Sequence, residues 1–158
     1  MLATIQKTEQ GYTAHYVRHY SHSADLVWAY LTDNGYLQQW FSELRVDELR
    51  VGGLLKFDMQ DGTFEEMEIL DLEPKSVLEY TWGEDRVRFE LKPEGAAGCR
   101  LDFIERIGKL TDHTPRDLAG WHVCLDVIAA LLDGRTLERE LEWKGWYEQY
   151  KARLAGLE

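Results

Sequence analysis

The sequence predicts an α+β fold: a curved antiparallel sheet wrapped around a long C-terminal helix, with a cavity between them. Three observations predict it. Between residues 44 and 103, short stretches alternate apolar and polar side chains and are divided by glycine-bearing turns, the pattern of an antiparallel meander. Residues 115–133 are apolar on almost every side, as a helix enclosed by its own protein must be. The order is strand, two helices, about six strands and one long helix. A sheet wide enough to curve around that helix is the economical packing. Such a sheet need not touch the helix along its whole length, and the gap is an apolar pocket.

Each element has a local cause. Tyr12–Tyr20 is rich in Tyr, Val and Thr and reads as the first strand. Ser23 caps a helix over Ala24–Thr32, with Asp25 in its first turn and Leu26, Val27, Tyr30 and Leu31 on its apolar face. Asn34-Gly35 breaks it, and Tyr36–Phe41 forms a second short helix ending in Trp40-Phe41. Strands over Leu44–Val51 and Leu54–Gln60 flank Gly52-Gly53; in the second, Leu55, Phe57 and Met59 alternate with Lys56, Asp58 and Gln60. Asp61-Gly62 is a hairpin turn. Phe64–Leu72 returns, with an irregularity near Glu65-Glu66. After Pro74, Val77–Trp82 places Leu78, Tyr80 and Trp82 on one face. Val87, Phe89 and Leu91, then Cys99, Leu101 and Phe103, extend that inward row across two more strands.

Pro115 opens the longest helix, over Pro115–Asp133, and Gly134 ends it. Leu118, Trp121, Leu125, Ile128 and Leu132 form one stripe, with Val123, Val127 and Leu131 on the opposite side. His122, Asp126 and Asp133 make the one polar wedge, which reads as solvent-facing. After the acidic segment Glu138–Glu142, a last helix over Trp143–Leu154 carries Trp146, Tyr147, Tyr150 and Leu154 as a stripe that docks back.

The 158 residues are near the usual size of one domain, so a single domain over 1–158 is expected. The formal net charge of −11 argues against nucleic acid, whose phosphates demand a basic face, and against an anionic membrane surface. Cys99 and Cys124 form no CxxC or zinc spacing and read as reduced thiols, which fits the cytoplasm. Met1–Gln10 has no basic region followed by an apolar run, so no signal peptide is expected.

Five segments in order resemble a known family. They are Val27-Trp28 through Thr32-Asp33 to Trp40-Phe41; Val51-Gly52-Gly53 followed by Phe57; Leu72-Glu73-Pro74 with Leu78–Trp82; Gly98–Phe103; and Ala119-Gly120-Trp121 through Leu132–Gly134. Together, over about residues 12–155, they resemble the activators of the 90-kDa heat-shock-protein ATPase, homologue type, in the START-like superfamily. The resemblance implies a helix-grip fold with a cavity between sheet and helix. The superfamily holds lipid carriers, polyketide cyclases, hormone binders and co-chaperone domains, so it gives function only a prior.

His15 and His19 share a strand face while His22 points away, so they converge poorly on a metal and read as surface histidines. Glu65, Glu66, Glu68, Asp71 and Glu73 read as a solvated acidic face. Glu105 continues the inward row of Cys99, Leu101 and Phe103; either it is an inward carboxylate that needs a partner or a raised pKa, or the strand ends before it. The cavity is expected to be lined by Trp40, Phe57, Met59, Tyr80, Trp82, Phe89, Phe103, Glu105, Trp121, Leu125 and Ile128. The function these residues predict is binding of a small hydrophobic molecule, lipid-like or aromatic, as carrier or sensor, with no catalytic residue, metal or cofactor. A cyclase- or hydrolase-like enzyme and a chaperone-interacting module are the alternatives.

Overall fold

A computed structural model describes residues 1–157. In chain order the elements are β1 (Thr4–Thr8), β2 (Gly11–Tyr20), α1 (Ala24–Thr32), α2 (Asn34–Trp40), β3 (Leu44–Val46), β4 (Leu54–Asp58), β5 (Phe64–Glu73), β6 (Val77–Trp82), β7 (Asp85–Pro93), β8 (Cys99–Ile107), α3 (Thr114–Leu132) and α4 (Arg139–Ala155). The strands form one antiparallel sheet in the order β1-β2-β8-β7-β6-β5-β4-β3, open at β1 and β3. The sheet curves around α3, so the α+β helix-grip arrangement holds.

Local chemistry sets the boundaries. Ser23 Oγ accepts from Leu26 N at 3.3 Å and starts α1. Asp33 Oδ1 accepts from Gly35 N at 2.9 Å, so the break falls at Asp33 and Asn34-Gly35 belongs to the first turn of α2. The expected Leu44–Val51 strand is only β3, because residues 47–53 turn tightly, with Asp47 N and Glu48 N both donating to Leu54 O. A Cβ on Gly53 would lie 2.1 Å from Glu48 O, so glycine is required there. The expected Leu54–Gln60 strand stops at Asp58, because Gln60 takes a left-handed backbone at φ 64°. The register irregularity of β5 lies between Ile69 and Asp71, not near Glu65-Glu66. The polar strand β1 was not legible in the sequence; it is a mostly exposed edge held by pairing with β2.

The helix is fixed to the sheet by more than apolar contact. Leu118, Leu125 and Ile128 are fully buried. From β2, Tyr16 donates its hydroxyl to Leu118 O at 2.9 Å, and Tyr20 donates to Leu125 O at 3.0 Å. These two bonds, about two turns apart on α3, fix its position along the strands.

The far side of α3 is covered by α4, which begins four residues earlier than expected. His122 is therefore not solvent-facing; it is 1% exposed and its ring stacks on Trp146 with centroids 3.8 Å apart. The Tyr150 hydroxyl accepts from Ala3 N at 2.9 Å and pairs with His122 Nδ1 at 2.7 Å. With that hydroxyl donating, the ring proton sits on Nε2, 3.5 Å from Asp126 Oδ2. Asp126 also receives Arg18 Nε at 3.3 Å. Of the polar wedge, His122 is buried because a helix of amphipathic aromatics covers it, Asp126 is half-buried, and Asp133 faces solvent as expected.

Burial, then the nearby Arg18 charge, pushes the His122 pKa down to about 3. The unfolded chain takes up this proton near pH 6.5 and the folded chain only near pH 3. Stability therefore falls as the pH drops through that window. His122→Asn keeps an acceptor for Tyr150 and removes the titration. Chemical denaturation at a series of pH values should show the variant less stable at pH 7 but without this acid-side loss; an unchanged slope would contradict the assignment.

Candidate ligand-binding site

The inner face of the grip is an aromatic cluster centred on Trp121. Its ring centroid lies 4.7 Å from Phe103, 4.9 Å from Trp82, 5.9 Å from Phe41, 6.1 Å from Phe89 and 6.5 Å from Trp40. Phe57 extends the cluster, 5.8 Å from Phe41 and 6.3 Å from Trp82. The pairs are tilted or edge-on, as ring quadrupoles prefer. Strand alternation brings in Trp82, Phe89 and Phe103; the end of α2 brings in Trp40 and Phe41; helical spacing brings in Trp121.

These rings fill the middle of the grip, and two cavities open beside them. The smaller, about 540 Å³, is walled by Phe41, Trp82, Trp121 and Cys124, floored by Gly120, and bounded by Arg139 and Trp143 of α4. The larger, about 810 Å³, has Phe57, Met67, Trp82 and Ile107 as apolar wall and Glu65, Glu84, Asp85 and Asp117 among its polar groups. Trp82 and Asp117 belong to both. They are joined by a bond from Trp82 Nε1 to Asp117 Oδ1 of 3.1 Å.

Of the residues expected to line a cavity, Trp82 and Trp121 face the smaller one, and Phe57, Met59 and Trp82 the larger. Met59 is 48% exposed rather than inward, because it follows the end of β4 and stands at the rim. Trp40, Tyr80, Phe89, Phe103, Leu125 and Ile128 are buried core that backs the aromatic wall. Among the residues missed were Phe41, Asp117, Gly120, Cys124, Arg139 and Trp143 at the smaller cavity, and Glu84 and Asp85 at the larger. A signal for three of them was present: Asp117 and Cys124 lie four and three positions from Trp121, and Gly120 lies three and four positions from those two.

Glu105 resolves to the inward alternative. It is fully buried between Ala14 and Val87 of the neighbouring strands and lines neither cavity; no donor reaches its carboxyl oxygens, and the Asp117 carboxylate is its side-chain partner. Burial first, then the charge of Asp117 and the hydrogen bond shared with it, then the charge of Asp85, raises its pKa well above the ordinary carboxyl range. Burial and the charges of Asp117 and Glu84 also raise Asp85, against a bond received from Gly108 N at 3.0 Å. Burial pushes the Cys124 thiol up to about 12, so it is a small apolar wall group and not a nucleophile. The three N-terminal histidines lie against separate carboxylates, His15 on Asp102, His19 on Glu94 and His22 on Asp133.

The family model for "Activator of Hsp90 ATPase homolog 1-like protein" matches residues 21–133. The chain belongs to this family. A conserved protein of unknown function from Enterococcus faecalis, EF2215, is similar in structure with a TM-score of 0.90 and 27% identity, over 99% of this chain and 92% of that one. CalU16 from Micromonospora echinospora shares the fold with a TM-score of 0.72 and 22% identity, over 94% and 92% of the two chains. The Aha1 dimer from Colwellia psychrerythraea shares it with a TM-score of 0.64 and 17% identity, over 76% and 95%. No match was found among curated proteins.

The raised Glu105 pKa sets a pH dependence opposite to that of His122. Below about pH 4 both the folded and unfolded carboxyls are protonated; as the pH rises, the unfolded chain releases its proton first. Stability contributed by neutral Glu105 is thus lost from about pH 4 upward. Glu105→Gln is neutral at every pH and nearly isosteric. Its melting temperature should exceed that of the parent at pH 7.5, with the advantage gone at pH 4. A variant less stable than the parent at pH 7.5 would mean that the buried group is needed as a charge.

Proposed function

We infer that this protein binds a small, flat, apolar molecule at the aromatic opening of the grip, as a carrier or sensor and without catalysing its conversion. The observation that carries the reading is the smaller cavity: about 540 Å³, with Phe41, Trp82, Trp121 and Trp143 around it. That volume lies within the range of small-molecule sites, and aromatic faces supply large apolar contact in fixed orientation. Asp117, Arg139, Glu140 and Lys144 are the polar groups available to orient what enters. The thiol of Cys124 is held protonated, and His122 faces α4 rather than the cavity, which supports binding over reaction. Chaperone-ATPase activation, from which the family takes its name, would need a recognition surface outside the grip; the aromatic cavity favours the ligand. The two cysteines, free and buried, fit a cytoplasmic setting, and one contiguous core supports a single domain.

Gly120 gives a direct test. A Cβ built on it meets nothing within 4 Å. Gly120→Leu should fill the cavity from the helix side, and replacing a mid-helix glycine should add stability of about 1 kcal/mol or less. Titration with naphthalene, followed by quenching of tryptophan fluorescence, should show saturable binding to the parent and none to the variant. Equal binding by both would place the ligand elsewhere.

A further inference from the structure

The outer face of the sheet, turned away from α3, carries an arrangement that binding inside the grip does not use. Strand register sets Thr13 of β2, Arg106 of β8, Arg86 of β7 and Thr81 of β6 side by side in one row. Their chain neighbours Ala14, Glu105, Val87 and Tyr80 are buried on the inner face, so all four point outward. Like charges directly opposite on neighbouring strands repel, so the Arg86–Arg106 pair costs stability unless an anion lies between them. Other arginines of this face are matched: Arg88 with Glu79, Asp71 and Glu90, and Arg100 with Asp102. Arg86 has only Glu79, at 3.6 Å, whose other oxygen already holds Arg88 at 2.8 Å. Among the described residues, no carboxylate forms an ion pair with Arg106. Carboxylates were not scarce, since the chain has 29 Asp and Glu against 18 Lys and Arg.

A pocket of about 570 Å³ opens over this row, between the β1–β2 and β6–β7 turns. Thr81 Oγ1 already accepts from Glu68 N at 2.9 Å, which leaves its own proton to donate. Tyr12 and Leu70 give the pocket an apolar side. We propose that it binds the phosphate monoester of a small molecule, with the phosphate between the Arg86 and Arg106 guanidinium groups. One guanidinium fork satisfies a carboxylate; two forks and two hydroxyls suit a dianion with three terminal oxygens. Glu9, Glu84 and Asp85 stand at the border of the pocket, and Asp85 is engaged by Gly108 N at 3.0 Å. That acidic border repels an extended polyanion, which is why the occupant is a small ester and not a nucleic acid.

Calorimetric titrations at pH 7.5 and low salt with phenyl phosphate, inorganic phosphate and benzoate test this. Phenyl phosphate should bind saturably and at least about fivefold more tightly than benzoate, a modest ratio because both arginines are exposed. Inorganic phosphate should bind more weakly than phenyl phosphate, because it has no body to lie on Tyr12 and Leu70. Arg106→Gln should weaken phenyl phosphate binding at least about fivefold. Lys92→Gln makes the same charge change on the same face, further along β7, and should leave the affinity unchanged. Equal affinity for phenyl phosphate and benzoate would overturn the phosphate site. So would binding that survives Arg106→Gln, an equal loss in Lys92→Gln, or no binding of phenyl phosphate at all. Inorganic phosphate binding as tightly as phenyl phosphate would overturn the ester.

Discussion

Trp121 is the contact on which the rest of the grip depends. It is the residue of α3 that reaches into the sheet, and five other rings from α2, β6, β7 and β8 converge on it. Its depth follows from the two tyrosine bonds to Leu118 O and Leu125 O, which hold the helix along β2. Once Trp121 is placed, the middle of the grip is full. What space remains lies beside the cluster, on either side of Trp82. The expected internal cavity is thus pushed to the opening, where α4 and the end of the sheet become its walls.

Two of the buried ionisable groups, His122 and Glu105, are resolved in different ways. His122 is neutral, stacked and hydrogen-bonded, and it ties α3 to α4 and to the N-terminal strand through Tyr150. Glu105 is kept protonated by burial and by its acidic neighbours, with the Asp117 carboxylate to receive its proton. The first group is a fastener of the fold. The second is a carboxyl pair that holds a proton at neutral pH, an arrangement that costs stability as the pH rises.

Much of this was legible in the sequence. The alternation of Leu78, Tyr80 and Trp82, and of Phe89 and Phe103, is local and survives into the structure as the inward row. The three-four stripe of α3 likewise places Trp121. What was hidden depended on distant pairing. The strand Thr4–Thr8 has no apolar face and exists because β2 offers it an edge. The burial of His122 depends on Trp146 and Tyr150, more than twenty residues away in the chain. Met59 continues the alternation on paper, but the left-handed turn at Gln60 ends the strand first. Trp143 reaches the site only because α4 packs along α3, so no local pattern names it.

The central claim is that the open side of the Trp121 cluster receives a flat apolar molecule. The six tryptophan indoles report on it directly, since each gives its own proton–nitrogen correlation. Trp82, Trp121 and Trp143 border the smaller cavity, whereas Trp28 and Trp146 do not. Adding naphthalene to uniformly nitrogen-15-labelled protein should shift the indole signals of Trp82, Trp121 and Trp143 in a saturable way and leave those of Trp28 and Trp146 in place. Shifts confined to Trp28 and Trp146, or no shifts at saturating naphthalene, would contradict the account.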